Sequence, residues 1–319
     1  MRGLKPDVQR NEVGFVKQIV IGLGLCLLGF GLAQPFTVKD SRGQTVTVRS
    51  IERIVSLNGV TTEILFALGV GDRVVGRDTS SYYPASVNKL PTVGYQFQLN
   101  VEGILSLRPT LVLGREDVRP PTVFDQLTAA GVTVVRVPDK PSLEGAKEKI
   151  RTIAAAVGRV ERGEELVRRL ERDLLVLRSK QRQATTRKQL KGIFLYLRGT
   201  NVTYVCGQGS NPVGMMELAG IANAAKGIQN CQQMTAEAVI AAQPDVIVVF
   251  TAGLESIGGL EGLRKLPGVM QTPAGQNGRV VAIDDLYLGG FGPRAGRAAL
   301  DLFVGAYERS GLYIAGAQE

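Results

Sequence analysis

Two stretches of the chain repeat one another. Residues 102–113 read EGILSLRPTLVL and residues 237–248 read EAVIAAQPDVIV, so Glu102 and Glu237, and then Pro109 and Pro244, fall at one constant offset. Each stretch has the form of a short amphipathic helix stopped at proline and followed by an apolar strand, which is half of a βαβ unit. A second echo runs through EILFALG at 63–69 and MMELAG at 215–220, each ending a helical pattern on glycine. A duplicated plan of this kind points to the α/β class: two Rossmann-like lobes with parallel sheets and a cleft between them.

At 319 residues the chain has room for two such lobes, and an apolar share of 44% fills two cores. Residues 1–33 stand apart. Arg2, Lys5, Arg10 and Lys17 precede an apolar run at 19–32, and Gly31 and Ala33 supply small residues ahead of Gln34, the pattern of a cleaved export signal. The run is shorter than the roughly 20 residues that span a bilayer. The expected location is the periplasm or cell envelope. Cys26 is a poor lipidation candidate because bulky Leu25 precedes it, and a membrane tether is left open.

Beyond the signal, 34–52 reads as a hairpin-like segment about Gly43. The N-terminal lobe, 53–141, is expected to hold strands at 54–57, 73–76, 111–113 and 132–137, with helices at 61–68, at 122–130 and in the first repeat. In 142–190, Leu166, Leu170, Leu174 and Leu177 recur at helical spacing among charges of alternating sign, which predicts one long bridging helix. Such a strut leaves little lobe motion. The C-terminal lobe, 191–319, repeats the plan with a strand at 192–197, a helix at 213–219, the second repeat, a strand at 280–283 and a closing helix at 293–307 that Pro293 opens.

Composition narrows the chemistry. There is no histidine, which removes Ser-His-Asp and Cys-His arrangements and the usual zinc sites. Gly207-Gln208-Gly209 lacks the third glycine of a dinucleotide fingerprint and no P-loop is present, so no ATP binding by this chain is expected. Loss of residues 1–33 removes four basic and two acidic residues and lowers the formal charge from +9 to +7. That suits an anionic ligand, but the charge is spread and no aromatic-spaced basic stripe speaks for nucleic acid. Cys206 and Cys231 remain, a candidate disulfide in an exported chain; their separation fits neither a CxxC motif nor a zinc ribbon.

From about Arg53 onward the chain resembles the substrate-binding proteins of ABC importers for haem, ferric siderophores and cobalamin. The shared features are RIVSLNGVTTEILFALG, DRVVGRD and the two repeats. DTSSYYP, KLPTVGYQFQLNVEGILSLRP and LPGVMQTPAGQNGRVVAIDDLYLGGFGPR are most similar to the haem-binding branch. The resemblance implies two lobes bridged by one long helix, haem as transported ligand, and an ABC permease dimer as partner. It implies docking of Glu102 and Glu237 on permease arginines, where two separated carboxylates orient the carrier. It also implies that Tyr83, directly before proline in DTSSYYP, is the haem-iron ligand, with Tyr82 as the alternate; phenolate oxygen suits ferric iron. Arg294 and Arg198 are candidates to stabilise that phenolate or to pair haem propionates, and Tyr95, Tyr204 and Tyr287 to face the porphyrin. Cys231 and Gln232 depart from the aromatic and basic residues that many relatives carry ahead of the second repeat, which puts second-lobe contacts in question.

The resulting expectation is a non-catalytic exported haem carrier. Two rivals stand beside it: the same fold carrying a ferric siderophore or cobalamin, and an exported two-lobed enzyme using carboxylates, with Glu116 and Asp117 its first suspects.

Overall fold

The structure is a computed structural model that describes residues 35–184 and 188–316. The expected export segment 1–33, including Cys26, lies outside the described residues. The first elements are β1 (Phe36–Lys39) and β2 (Thr45–Val48), an antiparallel hairpin whose turn uses Gly43 at φ 74. Val38 and Val48 sink into the core of the first lobe and fasten the hairpin to it.

That lobe runs through β3 (Ile54–Ser56), α1 (Gly59–Ala67), β4 (Val74–Arg77), the short pair β5 (Gly94–Tyr95) and β6 (Gln98–Leu99), and α2 (Val101–Ser106). It closes with β7 (Leu111–Arg115), α3 (Val123–Ala129) and β8 (Thr133–Val137). Its four-stranded sheet is parallel throughout, in the order β4-β3-β7-β8. Ile54, Val55, Leu111, Val112 and Leu113 are wholly buried, as strands covered on both faces must be.

The segment expected to be one helix is two. α4 (Leu143–Ala156) ends at Gly158, which sits at φ 64, and α5 (Val160–Gln183) begins beyond it. α4 packs on the first lobe, so the bridge is α5 alone. Its buried stripe of Leu166, Val167, Leu170, Leu174 and Leu177 follows the helical spacing read in the sequence.

The second lobe comprises β9 (Lys191–Arg198), β10 (Val202–Cys206), α6 (Asn211–Leu218), β11 (Ala222–Asn223), β12 (Cys231–Gln233), α7 (Ala236–Ala242) and β13 (Val246–Phe250). It continues with α8 (Thr251–Ser256), α9 (Gly259–Lys265), α10 (Pro273–Gln276), β14 (Val280–Ile283), α11 (Asp285–Gly289), α12 (Ala295–Tyr307) and β15 (Leu312–Ala315). The sheet order is β12-β10-β9-β13-β14-β15, with β11 paired to β9. Its centre is parallel as expected, and β10 and β12 extend it antiparallel at one edge. The largest apolar cluster joins Ile64 and Leu113 of the first lobe to Leu170 of α5 and Phe194, Val248 and Leu302 of the second. One core therefore holds the lobes together. No helix among the described residues is long and apolar enough to cross a membrane.

The two repeats fold alike from cap to turn, although α7 runs one residue longer than α2. Asn100 accepts the Gly103 N–H at 3.2 Å and Thr235 accepts the Ala238 N–H at 3.1 Å, each capping its helix. Ile104 and Val239 are fully buried. Arg108 at φ 47 and Gln243 at φ 39 then take the left-handed turn that stops each helix before its proline.

Candidate ligand cleft

In open α/β sheets a ligand meets the carboxyl ends of the strands. Beyond β4 these ends carry the loop Asp78-Thr79-Ser80-Ser81-Tyr82-Tyr83, and its shape is set by a buried polar network. Asp78, with no exposed surface, accepts from the Ser80 and Ser81 hydroxyls, both at 2.6 Å. Ser81 also meets Thr62 Oγ1 at 2.7 Å, and Thr62 donates to Ser56 at 2.8 Å. Burial pushes the Asp78 carboxyl above its ordinary pKa, while the two serines work against that rise. Asn58 caps α1 through the Val60 and Thr61 N–H groups and donates to Gln96 at 2.9 Å, tying the β5–β6 turn to the same scaffold.

The loop presents its two tyrosines differently. The Tyr82 hydroxyl donates to Asp284 Oδ2 at 3.0 Å and accepts the Leu286 N–H at 2.8 Å, so it is spent on joining the lobes. Burial and then the Asp284 charge push its pKa up, which disfavours a phenolate in this setting. Tyr83 instead lines a hollow of about 870 Å³ together with Arg169 of α5, Tyr287 of α11, and Arg294, Arg297 and Asp301 at α12. The Arg294 guanidinium carbon lies 3.7 Å from the centroid of the Tyr83 ring and 4.9 Å from that of Tyr287.

Arg294 is fixed from below. Glu63, on α1, receives its Nε at 2.7 Å and its Nη2 at 3.0 Å, a bidentate pair whose carboxylate is 5% exposed. Burial works against the guanidinium charge, and Glu63 outweighs it, so the Arg294 pKa is raised. The Tyr287 hydroxyl donates to Asp301 at 2.8 Å, and its pKa is pushed up by burial and by Asp301. Tyr287 therefore offers the hollow its ring and not its oxygen. Among the described residues no group of three or more His, Cys, Asp or Glu is placed to hold a metal ion.

The structure brings Tyr83, Tyr287 and Arg294 together and leaves the other expected contacts elsewhere. Arg198 pairs with Asp285 and lies 4.8 Å above the Tyr196 ring. Tyr204 faces Tyr196 at 6.4 Å and is 38% exposed. Tyr95, 45% exposed, stands edge-on to Phe97 and shares a separate hollow with Glu102. Glu102 and Glu237 are both exposed in the first turns of α2 and α7. Cys206 and Cys231 are direct partners on β10 and β12 and are joined by a disulfide. Glu116 and Asp117 are exposed and paired with Arg42 and Arg115, and the Arg42 hydrogen bond lowers the Glu116 pKa, the opposite of what a general acid needs. Glu63 escaped the sequence reading, although a lone carboxylate within the apolar stretch EILFALG was a signal for a buried counter-charge.

A model of the periplasmic binding protein family matches residues 54–287. The uncharacterized ABC transporter substrate-binding lipoprotein YvrC of Bacillus subtilis (strain 168) is 32% identical over 263 residues, covering 82% of each chain. Among solved structures, the periplasmic heme-binding protein RhuT from Roseiflexus sp. RS-1, in apo form, is 48% identical over 81% of this chain and 98% of its own, with a TM-score of 0.77. The periplasmic heme-binding protein BhuT, in complex with two hemes, is 35% identical over 80% and 98%, with a TM-score of 0.76.

Proposed function

The chain belongs to the periplasmic binding protein family, and from that premise we propose that it is a carrier that captures ferric haem between its lobes and hands it, chemically unaltered, to an ABC importer. The observation that carries this reading is the hollow itself: a tyrosine of one lobe under a guanidinium of the other, 3.7 Å apart, on the wall of a space of about 870 Å³. That volume lies within the roughly 300–1,000 Å³ of sites that enclose a small ligand. Tyr83 supplies the iron's oxygen ligand, the Tyr287 ring meets the macrocycle, and Arg169 and Arg297 on the wall offer guanidinium groups to the propionates. Similarity to RhuT and BhuT supports haem over a siderophore or cobalamin.

Delivery falls to Glu102 and Glu237. Their support is the matching N-terminal build of the two helices that carry them and their shared exposure, one on each lobe, as a two-fold permease would require. Export by residues 1–33 would put the carrier on the outer side of the membrane. Titration of the purified protein with hemin is the test. A saturable Soret band, weakened in Tyr83→Phe with affinity down by about tenfold or more, is the expected result. No Soret band, or saturable binding of cobalamin or a ferric siderophore in its place, overturns the haem reading.

A further inference from the structure

Arg294 does not reach Tyr83 through the geometry of its own lobe alone. The loop that carries it, from Gly289 to Arg294, is held from both lobes: Asn211 of α6 donates to the Gly289 carbonyl at 2.7 Å, and buried groups of the first lobe grip the residues that follow. Lys149 of α4, with 2% of its side chain exposed, donates to the carbonyls of Gly290 at 3.0 Å and Phe291 at 3.5 Å, and is itself paired with Asp139. Asp139 is held in turn by Arg115 at 2.8 Å. Phe291, buried and at φ 46, takes a left-handed conformation that a bulky residue adopts only when its surroundings impose it. Gly292 follows, where a Cβ would come within 3.0 Å of Val60 on α1, so the loop lies directly on the helix that carries Glu63.

We propose that Glu63 and Lys149 are positioning residues, which touch no ligand but hold Arg294 against the Tyr83 ring and so set the grip on the ligand's iron. The inference rests on the haem reading. Ring and cation belong to different lobes, and Glu63 and Lys149 hold the one against the other.

The test is the rate of hemin loss to apomyoglobin, read with the visible spectrum and the melting temperature, for Glu63→Gln, Arg294→Gln, their double variant, Lys149→Met and Tyr83→Phe. Glu63→Gln and Arg294→Gln should each speed hemin loss about tenfold or more. The double variant should lose hemin no faster than Arg294→Gln alone, because Glu63 acts only through it. Lys149→Met should move the rate in the same direction; Asp139→Asn takes its place if that variant does not fold. Glu63→Gln with a lowered melting temperature but the wild-type rate and spectrum overturns the proposal, as do additive effects in the double variant. If Tyr83→Phe also keeps the wild-type rate and spectrum, the haem reading falls with it; if Tyr83→Phe loses hemin quickly, only the positioning role falls.

Discussion

In the first lobe, Asn100 caps a helix that carries Glu102 in its first turn and ends on left-handed Arg108; in the second lobe Thr235, Glu237 and Gln243 do the same. At the cleft the lobes share nothing of this kind. The first fixes its wall with hydrogen bonds around Asp78 and offers Tyr83 from it, whereas the second fixes an edge with the Cys206–Cys231 disulfide and offers the guanidinium of Arg294. The duplicated build is thus kept at the exposed helices that carry Glu102 and Glu237 and lost at the facing walls that carry Tyr83 and Arg294. Beyond the shared apolar core, polar contacts join the two walls: Tyr82 with Asp284, Glu63 with Arg294, and Lys149 with the carbonyls of Gly290 and Phe291.

The largest effect is expected where the lobes are alike. Glu102→Arg combined with Glu237→Arg reverses charge at both rim positions and should abolish haem uptake by the importer in proteoliposomes while hemin titration stays as in wild type. Each single variant should fall between, and by similar amounts, if the two helices are equivalent. Unequal single effects would break that equivalence, and full uptake by the double variant would remove the docking role altogether.

Next comes the covalent edge of the second lobe. The disulfide joins cysteines 25 positions apart, so replacing both by serine should cost about 3.5 kcal/mol in urea unfolding, on the loop-entropy model. The Soret maximum should not move, because Tyr83 and Arg294 lie away from that edge. A shifted spectrum would mean that the second wall shapes the site more than its contacts indicate.

The outer plan was legible in the sequence because it is local and said twice: helix, proline and apolar strand recur with period and punctuation intact. The buried leucines of α5 were legible for the same reason. The break at Gly158 was not, since one glycine in a run of helix formers gives a weak local signal and tertiary packing decides whether the helix turns there. The antiparallel β12 was equally silent: Cys231, Gln232 and Gln233 are all exposed and carry no apolar alternation, and only pairing with β10 makes them a strand. Tyr83 was identified by resemblance, not by its own chemistry. Its setting is the least legible part, because the Arg294–Glu63 pair joins residues 231 positions apart, and nothing local to either announces the other.

A smaller effect separates the two neighbouring tyrosines. Tyr82→Phe deletes a hydroxyl that both donates to Asp284 and accepts from Leu286, leaving partly buried groups unpaired, and should cost about 1–2 kcal/mol of stability. Thermal unfolding measures that loss. The hemin spectrum should keep its wild-type form, in contrast to Tyr83→Phe, and a collapse of the Soret band would return Tyr82 to the iron.

The smallest effect belongs to the hydrogen-bonded wall of the first lobe and is read as a slope against pH. Burial raises the Asp78 pKa above its ordinary 3.8, so the folded protein holds this proton more tightly than the unfolded chain. Across the window from about that value upward, the native state binds more protons, and stability falls as pH rises through it. Asp78→Asn has no proton to lose there. The difference in unfolding free energy between wild type and variant should therefore drift against wild type as pH climbs from about 3 toward neutrality and level off once the native carboxyl has ionised. A difference that stays flat would mean that the serine hydroxyls cancel the effect of burial, and one that grows in favour of wild type would mean that they outweigh it, so that the first wall is held by a carboxylate that gains from being charged.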